Sequence, residues 1–582
     1  MHAEYEQRLQ QRRLAAEALE KRFQSIGTWR LVVVVGGLIL AWWNYWLLPI
    51  PVLAFVLLLV IHEKVARRAA LASRAIAFYQ RGLARLDGTW AGTGETGERF
   101  LDADHPYAAD LDIFGNGSLF QLICAARTAA GESTLAGWLL NPTSPEEVRG
   151  RQSAVDELRP ALDLREELSL LGDDVRSGLH ADALRRWGAA PAVEISTFSR
   201  FAAVFLSVAT TIALIGYFLQ LWPFSPFLLG LLLEIALLMR LGPVLTNIFA
   251  GVELPAADLR LLGLVLERFE RERFRSPLLV DLRRRLDSDG VPASQHIARL
   301  RRIVEYHDWG RNQGFAPIAL VLLWHVHLGF AVERWRLRCG HRIGEWIDAV
   351  GEIEALTSIA GYAAEHPQDV WPALVIDGPL FDGKGTAHPL LAGGVRNDLL
   401  LTAEMRLFVV SGSNMSGKST MLRSAGLCVV MAWAGVPVRA LSLCVSPLAV
   451  GAAMRVQDSI QDGKSRFYAE ITRLRQIMDM ATGRLPLLFL LDELLSGTNS
   501  HDRRIGAEAI VRNLVESGAV GLVTTHDLAL ADIAGQLGSI ATNVHFEDHV
   551  EDGRISFDYQ MRPGVVEKSN ALQLMRSVGL KV

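Results

Sequence analysis

The apolar stretch Leu407-Phe-Val-Val-Ser411 runs without a break into Gly412-Ser-Asn-Met-Ser-Gly-Lys-Ser419. A short buried strand followed by G-x-x-x-x-G-K-[ST] dictates strand, loop and helix in that order, with loop N–H groups turned toward an anion. Gly412 and Gly417 permit the turn, Lys418 supplies positive charge to outer phosphates, and Ser419 offers Mg2+ a hydroxyl. Ser413, Asn414, Met415, Ser416 and Thr420 complete the expected phosphate cradle, at the positive end of the following helix. A second apolar strand, Leu487–Leu491, ends in Asp492-Glu493. The first carboxylate suits the Mg2+ hydration shell, and the second suits orienting or deprotonating an attacking water. A third strand, 521–525, ends at His526, where an imidazole could sense a γ-phosphate. The order of these three segments predicts an α/β P-loop domain over residues 371–582 that binds and hydrolyses ATP with Mg2+, Glu493 and His526 being the catalytic pair.

Outside this domain the strongest signal is uncharged length. Residues 31–62 contain no Asp, Glu, Lys or Arg, and Pro49 and Pro51 break the run near its middle. Each half approaches the length a bilayer requires, which predicts a transmembrane helical hairpin behind a charged N-terminal helix, 1–30. A cleaved signal peptide is a poorer account, because its apolar region is only roughly 7 to 15 residues long. A second hairpin is expected within 198–240, interrupted by Pro223 and Pro226, with Trp222 at the break. Lys and Arg flank the first hairpin at Arg30 and Lys64 and are missing from both turns, so both chain ends and the ATPase domain are expected on the cytoplasmic face of a cell membrane. Residues 312–332 are also uncharged, but a fifth span would carry the nucleotide domain away from ATP. They are assigned to a buried helix, with His325 and His327 as interhelical polar groups rather than metal ligands. The intervening 63–197 and 241–370 read as an all-α core in two parts.

Charge and cysteine content narrow the rest. A formal charge of -4 gives no overall attraction to polyanions, so any nucleic-acid contact must be local. Cys124, Cys339, Cys428 and Cys444 lie far apart and form no CxxC pair, which fits small core residues in a reducing compartment.

Together these motifs resemble the MutS family of ABC-type mismatch-repair ATPases. Asn414 and Met415 match the family's loop, while Ser413 stands where the family has proline. Asp462-Gly-Lys-Ser-Arg-Phe467 resembles the family's signature stretch, which implies that Ser465, together with Asn414, reaches the partner's nucleotide in a homodimer. Ser496-Gly-Thr-Asn-Ser500 resembles the turn implicated in closing that dimer. Gly385-Thr-Ala-His-Pro-Leu-Leu391 and Asn397-Asp398 resemble the lead-in to the ATPase domain, which makes Leu399 and Leu400 the expected adenine wall. The stretches 110–120, 138–142 and 151–152, and the helix 352–364, resemble the family's helical core. The family's N-terminal mismatch reader is not expected, because the chain enters its first apolar run by Leu31, and no nuclease-like domain is expected after residue 580.

Arg268, Arg271, Arg273, Arg275, Arg283, Arg284, Arg285, Arg301 and Arg302 could meet DNA phosphates without reading sequence, lie on salt-bridged helix faces beside Glu267, Glu270, Glu272, Asp281 and Asp287, or face anionic lipid. Residue types leave the three readings open. The implied partners are a second copy of the chain, membrane lipid, DNA in a sequence-blind manner, and a protein the residues do not identify. Two functions follow: a tethered, DNA-associated dimeric switch, or a tethered regulatory or remodelling ATPase that has left DNA. Transport would require polar groups along the spans, and these offer little beyond Asn44 and Glu234.

Overall fold

The computed structural model describes residues 1–582 except 172–180, 192, 194–195, 254–255, 289, 414, 455–465, 496–498, 527, 552–553 and 567–582. It comprises two compact units, one of Met1–Ala125, Leu135–Leu162 and Leu356–Val582, the other of Ala126–Thr134 and Asp163–Ala355.

The first unit opens with α1 (His2–Trp43) and α2 (Pro49–Leu86), which pack along each other as a hairpin. The charged leader and the first apolar run form one helix, because no helix breaker separates them before Asn44, whose backbone is extended. The prolines do not interrupt a span; Pro49 starts α2, where a missing N–H costs nothing. Gly37 allows the close crossing, since a Cβ there would lie 2.9 Å from that of Pro51. At the hairpin's foot Tyr5 packs edge-on against Tyr79 at 5.6 Å, beside Leu9 and Leu162. Farther along, apolar side chains point outward, with Leu38, Trp42, Trp43 and Leu53 all exposed and Trp42 93 % exposed.

The second unit is almost wholly helical. α3 (Thr197–Phe218) and α4 (Ser225–Glu253) form another apolar pair. Ala203, Ser207, Thr210, Ala213 and Gly216 are buried at helical spacing on α3, and small residues of this kind let helix backbones approach. α1 to α4 are the described helices long and apolar enough to cross a membrane, by length and composition. Beyond α5 (Ala293–Gly310), the expected single buried helix over 312–332 is instead two, α6 (Ala316–Val321) and the start of α7 (Trp324–Cys339). The break falls at Leu323, whose φ of 45° takes the backbone out of the right-handed helix. It lets α7 turn Gly329 onto Leu245 of α4. The histidines here make interhelical contacts: His325 Nδ1 lies 2.9 Å from His307 Nδ1, and His327 Nε2 lies 3.4 Å from Ser207 Oγ. α8 (Ile343–Glu365) carries the chain from this unit back into the first.

There the strands β1 (Ala373–Leu374), β2 (Phe381–Thr386), β3 (Asn397–Leu401), β4 (Leu407–Ser411), β5 (Ser442–Val445), β6 (Ala449–Ala453), β7 (Leu487–Leu491), β8 (Val520–Thr525), β9 (Ala541–Glu551) and β10 (Arg554–Pro563) form two sheets. The smaller has order β1-β5-β2-β3, and the larger β10-β9-β4-β8-β7-β6, parallel except for its last hairpin. β4, β7 and β8 are buried at every residue, as unbroken apolar strands covered on both faces must be. α9 (Lys418–Ala434) covers the sheet, as do α10 (Arg466–Ala481), α11 (Ser500–Glu516) and α12 (Leu528–Leu537). The stretch after Asp110 docks here: Asp110 accepts the Met454 N–H at 2.8 Å, and a Cβ on Gly426 would meet Leu111 at 2.8 Å.

Candidate active site

β4 lies between β9 and β8, and β8 separates it from β7. This order brings the loop after β4, the carboxylates after β7 and the histidine after β8 to the same, carboxyl-terminal edge, where open parallel sheets bind ligands.

Gly412 has φ 147°, and a Cβ there would stand 2.9 Å from the Phe546 carbonyl oxygen. Gly417, at φ 106°, supports the start of α9. These two positions demand glycine. Met415 also has a left-handed backbone, at φ 69°. The Lys418 ammonium donates to the carbonyl oxygens of Gly412 at 2.9 Å and Ser413 at 2.8 Å, curling back into its own loop. Burial lowers its pKa, while Glu493 and Asp492 oppose that shift. The hydroxyls of Ser413 and Ser416 are buried without a hydrogen-bond partner among the described residues. Unsatisfied donors in a glycine turn beside a buried ammonium suit an oxyanion.

On the facing side the Thr524 hydroxyl donates to Asp492 Oδ1 and accepts the Glu493 N–H at 3.1 Å. Thr524 thereby fixes both carboxylate-bearing residues from the neighbouring strand. His526 is exposed, its Nδ1 3.6 Å from Glu493 Oε1. Ser419 and Asp492 both line the cavity. A hydroxyl and a carboxylate are hard oxygen donors of the kind Mg2+ takes, so they fit that ion.

The cavity holds about 790 Å³ and is lined by Gly417, Lys418, Ser419, Thr420, Asp492, Glu493 and Met415, and on its other wall by Thr386, His388, residues 391–395, Asn397, Phe546 and Tyr559. Leu399 and Leu400 are not part of that wall. β3 alternates, placing Leu399 in the core and Leu400 in solvent, and only Asn397, at the strand's start, reaches the cavity. The aromatic surface comes from Phe546 and Tyr559 in the β9–β10 hairpin. Asn397 fastens that hairpin, donating to the Tyr559 carbonyl oxygen at 3.0 Å and accepting the Met561 N–H at 2.7 Å. An available signal was Asp552-Gly553 between two alternating segments, which marks a tight hairpin. Asn414 and Ser465 lie outside the described residues, as do 496–498.

Residues 408–581 match the family model described as MutS domain V. The chain is 35% identical over 246 residues to the DNA mismatch repair protein MutS of Natronomonas pharaonis, covering 41% of this chain and 28% of that protein. It is 31% identical over 247 residues to the endonuclease MutS2 of Thermus thermophilus, covering 42% and 32%. A MutS of Lactococcus lactis subsp. cremoris is 29% identical over 240 residues, covering 40% and 28%. The chain thus spans about a third or less of the length of these relatives.

Proposed function

Because the chain belongs to the MutS family through the domain in residues 408–581, we propose that it is an ABC-type, Mg2+-dependent ATPase, tethered to a membrane and working as a homodimeric conformational switch. The observation that carries the reading is the 790 Å³ cavity in which the glycine loop, Lys418 and the Asp492-Glu493 pair converge opposite an aromatic wall. Backbone N–H groups of the loop and Lys418 receive the phosphates, and Lys418 gives up its loop carbonyls to do so. Ser419 and Asp492 would hold Mg2+, whose charge would offset that of the outer phosphates. Glu493 orients and deprotonates the attacking water, and His526 steadies that carboxylate from its other side. Tyr559 and Phe546 take the base. ATP binding closes the dimer and hydrolysis reopens it, as a switch requires different affinity for nucleotide in its two states.

The tether is supported by the outward apolar faces of α1 to α4. A water-exposed patch containing Leu38, Trp42, Trp43 and Leu53 far exceeds what a soluble surface carries. Its tryptophans lie at the hairpin turn, where an aromatic belt would meet headgroups on the far side of the bilayer.

One observation favours the second reading, a tethered regulatory ATPase without DNA. Much of the basic cluster is paired with acids: Arg268 with Glu167 and Glu272, Arg271 with Glu267, Arg284 and Arg285 with Asp281, Arg285 also with Glu352, and Arg301 with Glu305. Paired guanidinium groups offer phosphates little net field. Equilibrium ATP binding by the full chain in detergent, with and without Lys418→Ala, tests the phosphate site. The substitution should weaken binding by about a hundredfold, the loss of a buried charge partner. Unchanged affinity would remove Lys418 from the site.

A further inference from the structure

The turn after Asp492 is held in a conformation that its residues do not favour. Glu493 has φ 50° and Leu495 φ 53°, so two of three consecutive residues with side chains adopt the left-handed region. Left-handed backbone is unfavourable for residues with a Cβ, and such geometry persists only where surrounding groups over-determine it. On the strand side those groups are backbone and hydroxyl: Asp492 N–H donates to Ala453 O at 3.0 Å, and Glu493 N–H to Thr524 Oγ1 at 3.1 Å. On the far side they are two charged side chains from different helices. Glu470 of α10, only 5% exposed, accepts the Leu495 N–H at 2.5 Å, and Arg503 of α11 donates from Nε to the Leu495 carbonyl oxygen at 3.1 Å. A single residue's N–H and C=O are therefore held from opposite helices by opposite charges. Hydrogen bonds to charged groups are the stronger kind, which suits them to hold a strained turn.

We propose that Glu470 and Arg503 are positioning residues for hydrolysis, clamping the left-handed turn at Leu495 so that Glu493 points its carboxylate into the nucleotide cavity. Neither lines the cavity, so neither is catalytic. Both act through the backbone two residues beyond the general base. Releasing Leu495 lets residues 493–495 relax toward right-handed backbone, which swings the Glu493 carboxylate away from its place near His526. Nucleotide affinity resides in the loop after β4 and in the aromatic wall, and is left intact. The role rests on the hydrolytic reading above.

The test uses the full chain in nanodiscs, measuring steady-state hydrolysis and ATP affinity for wild type, Glu470→Ala, Glu470→Gln and Arg503→Met. Glu470→Ala and Arg503→Met should each lower kcat by about tenfold or more while the Kd for ATP stays within about twofold, the signature of a lost transition-state contribution without lost binding. Glu470→Gln should recover most of the rate, because its amide oxygen still accepts the Leu495 N–H. A merely structural role would give no such rescue and would spoil affinity together with rate. If Glu470→Ala does not fold, Arg503→Met, at a half-buried position, decides the matter. Wild-type kcat in Arg503→Met, or equal loss in both Glu470 variants, would overturn the clamp while an active wild type left the hydrolytic reading standing. An inert wild type would overturn both.

Discussion

Tyr559 lines the cavity from a hairpin about 140 residues beyond the glycine loop, and its backbone is left-handed at φ 55°. If its ring stacks on the base, Tyr559→Ala should weaken ATP binding by about fivefold, in line with the roughly 1 kcal/mol of an aromatic contact, and Tyr559→Phe should not. Titration with a fluorescent ATP analogue measures this, and equal affinity in all three proteins would remove Tyr559 from the base site. His388, on the same wall, is held neutral: burial, helped by Arg423 and Arg439, pushes its pKa down to about 4. Since the unfolded chain's imidazole takes up a proton near pH 6.5, acid favours the unfolded state, and this contribution to stability is lost as pH falls from about 6.5 to about 4. Melting curves of wild type should therefore drop more steeply over that window than those of His388→Gln; parallel curves would contradict the assignment. The phosphate loop and the Asp-Glu pair were readable from sequence because each is contiguous and its spacing is the chemistry. The aromatic side of the cavity was not. Tyr559 reaches it through tertiary pairing, and Leu399 and Leu400, expected as the adenine wall, do not line the cavity because β3 turns one to the core and the other to solvent.

Among the elements, the α1–α2 hairpin depends on a buried ion pair at its foot. Arg85 donates twice to Glu365 at the end of α8, at 2.5 Å each, and Tyr5 of α1 donates to the same carboxylate at 3.2 Å. Both legs of the hairpin thus meet one acid on the helix leading into the two-sheet domain. The two side chains are 9% and 0% exposed, so losing one partner strands the other charge at a cost of about 3–5 kcal/mol. Arg85→Gln should lower the Tm in detergent markedly, and adding Glu365→Gln should restore part of it by removing the stranded charge. A double variant no more stable than Arg85→Gln would show that the charge is not what the foot depends on. The apolar hairpins were readable from sequence because uncharged length is a local property. The first turn was readable too: it falls at residues 44–48, next to the prolines that break the uncharged run, and Pro49 starts α2. The split between α6 and α7 was not, because Leu323 adopts φ 45° with no glycine or proline at that position to announce it.

Across the whole chain, two apolar hairpins lie outside the domain matched at residues 408–581. Reporter tags at the N-terminus, near Arg85, after Arg240 and at the C-terminus should all map to the cytoplasm, and one at Leu48 to the opposite side. A C-terminal tag on the opposite side would refute the even number of spans. Because Arg284 and Arg285 are paired with Asp281, changing both to Gln should leave DNA affinity and its salt slope nearly unchanged; a flattened slope would return DNA phosphates to this surface. ATP hydrolysis through Glu493 is tested by single-turnover hydrolysis in nanodiscs, comparing wild type with Glu493→Gln at saturating ATP and Mg2+. The variant should retain ATP while its hydrolysis rate falls by about a hundredfold or more; equal rates in the two proteins would contradict that role for Glu493.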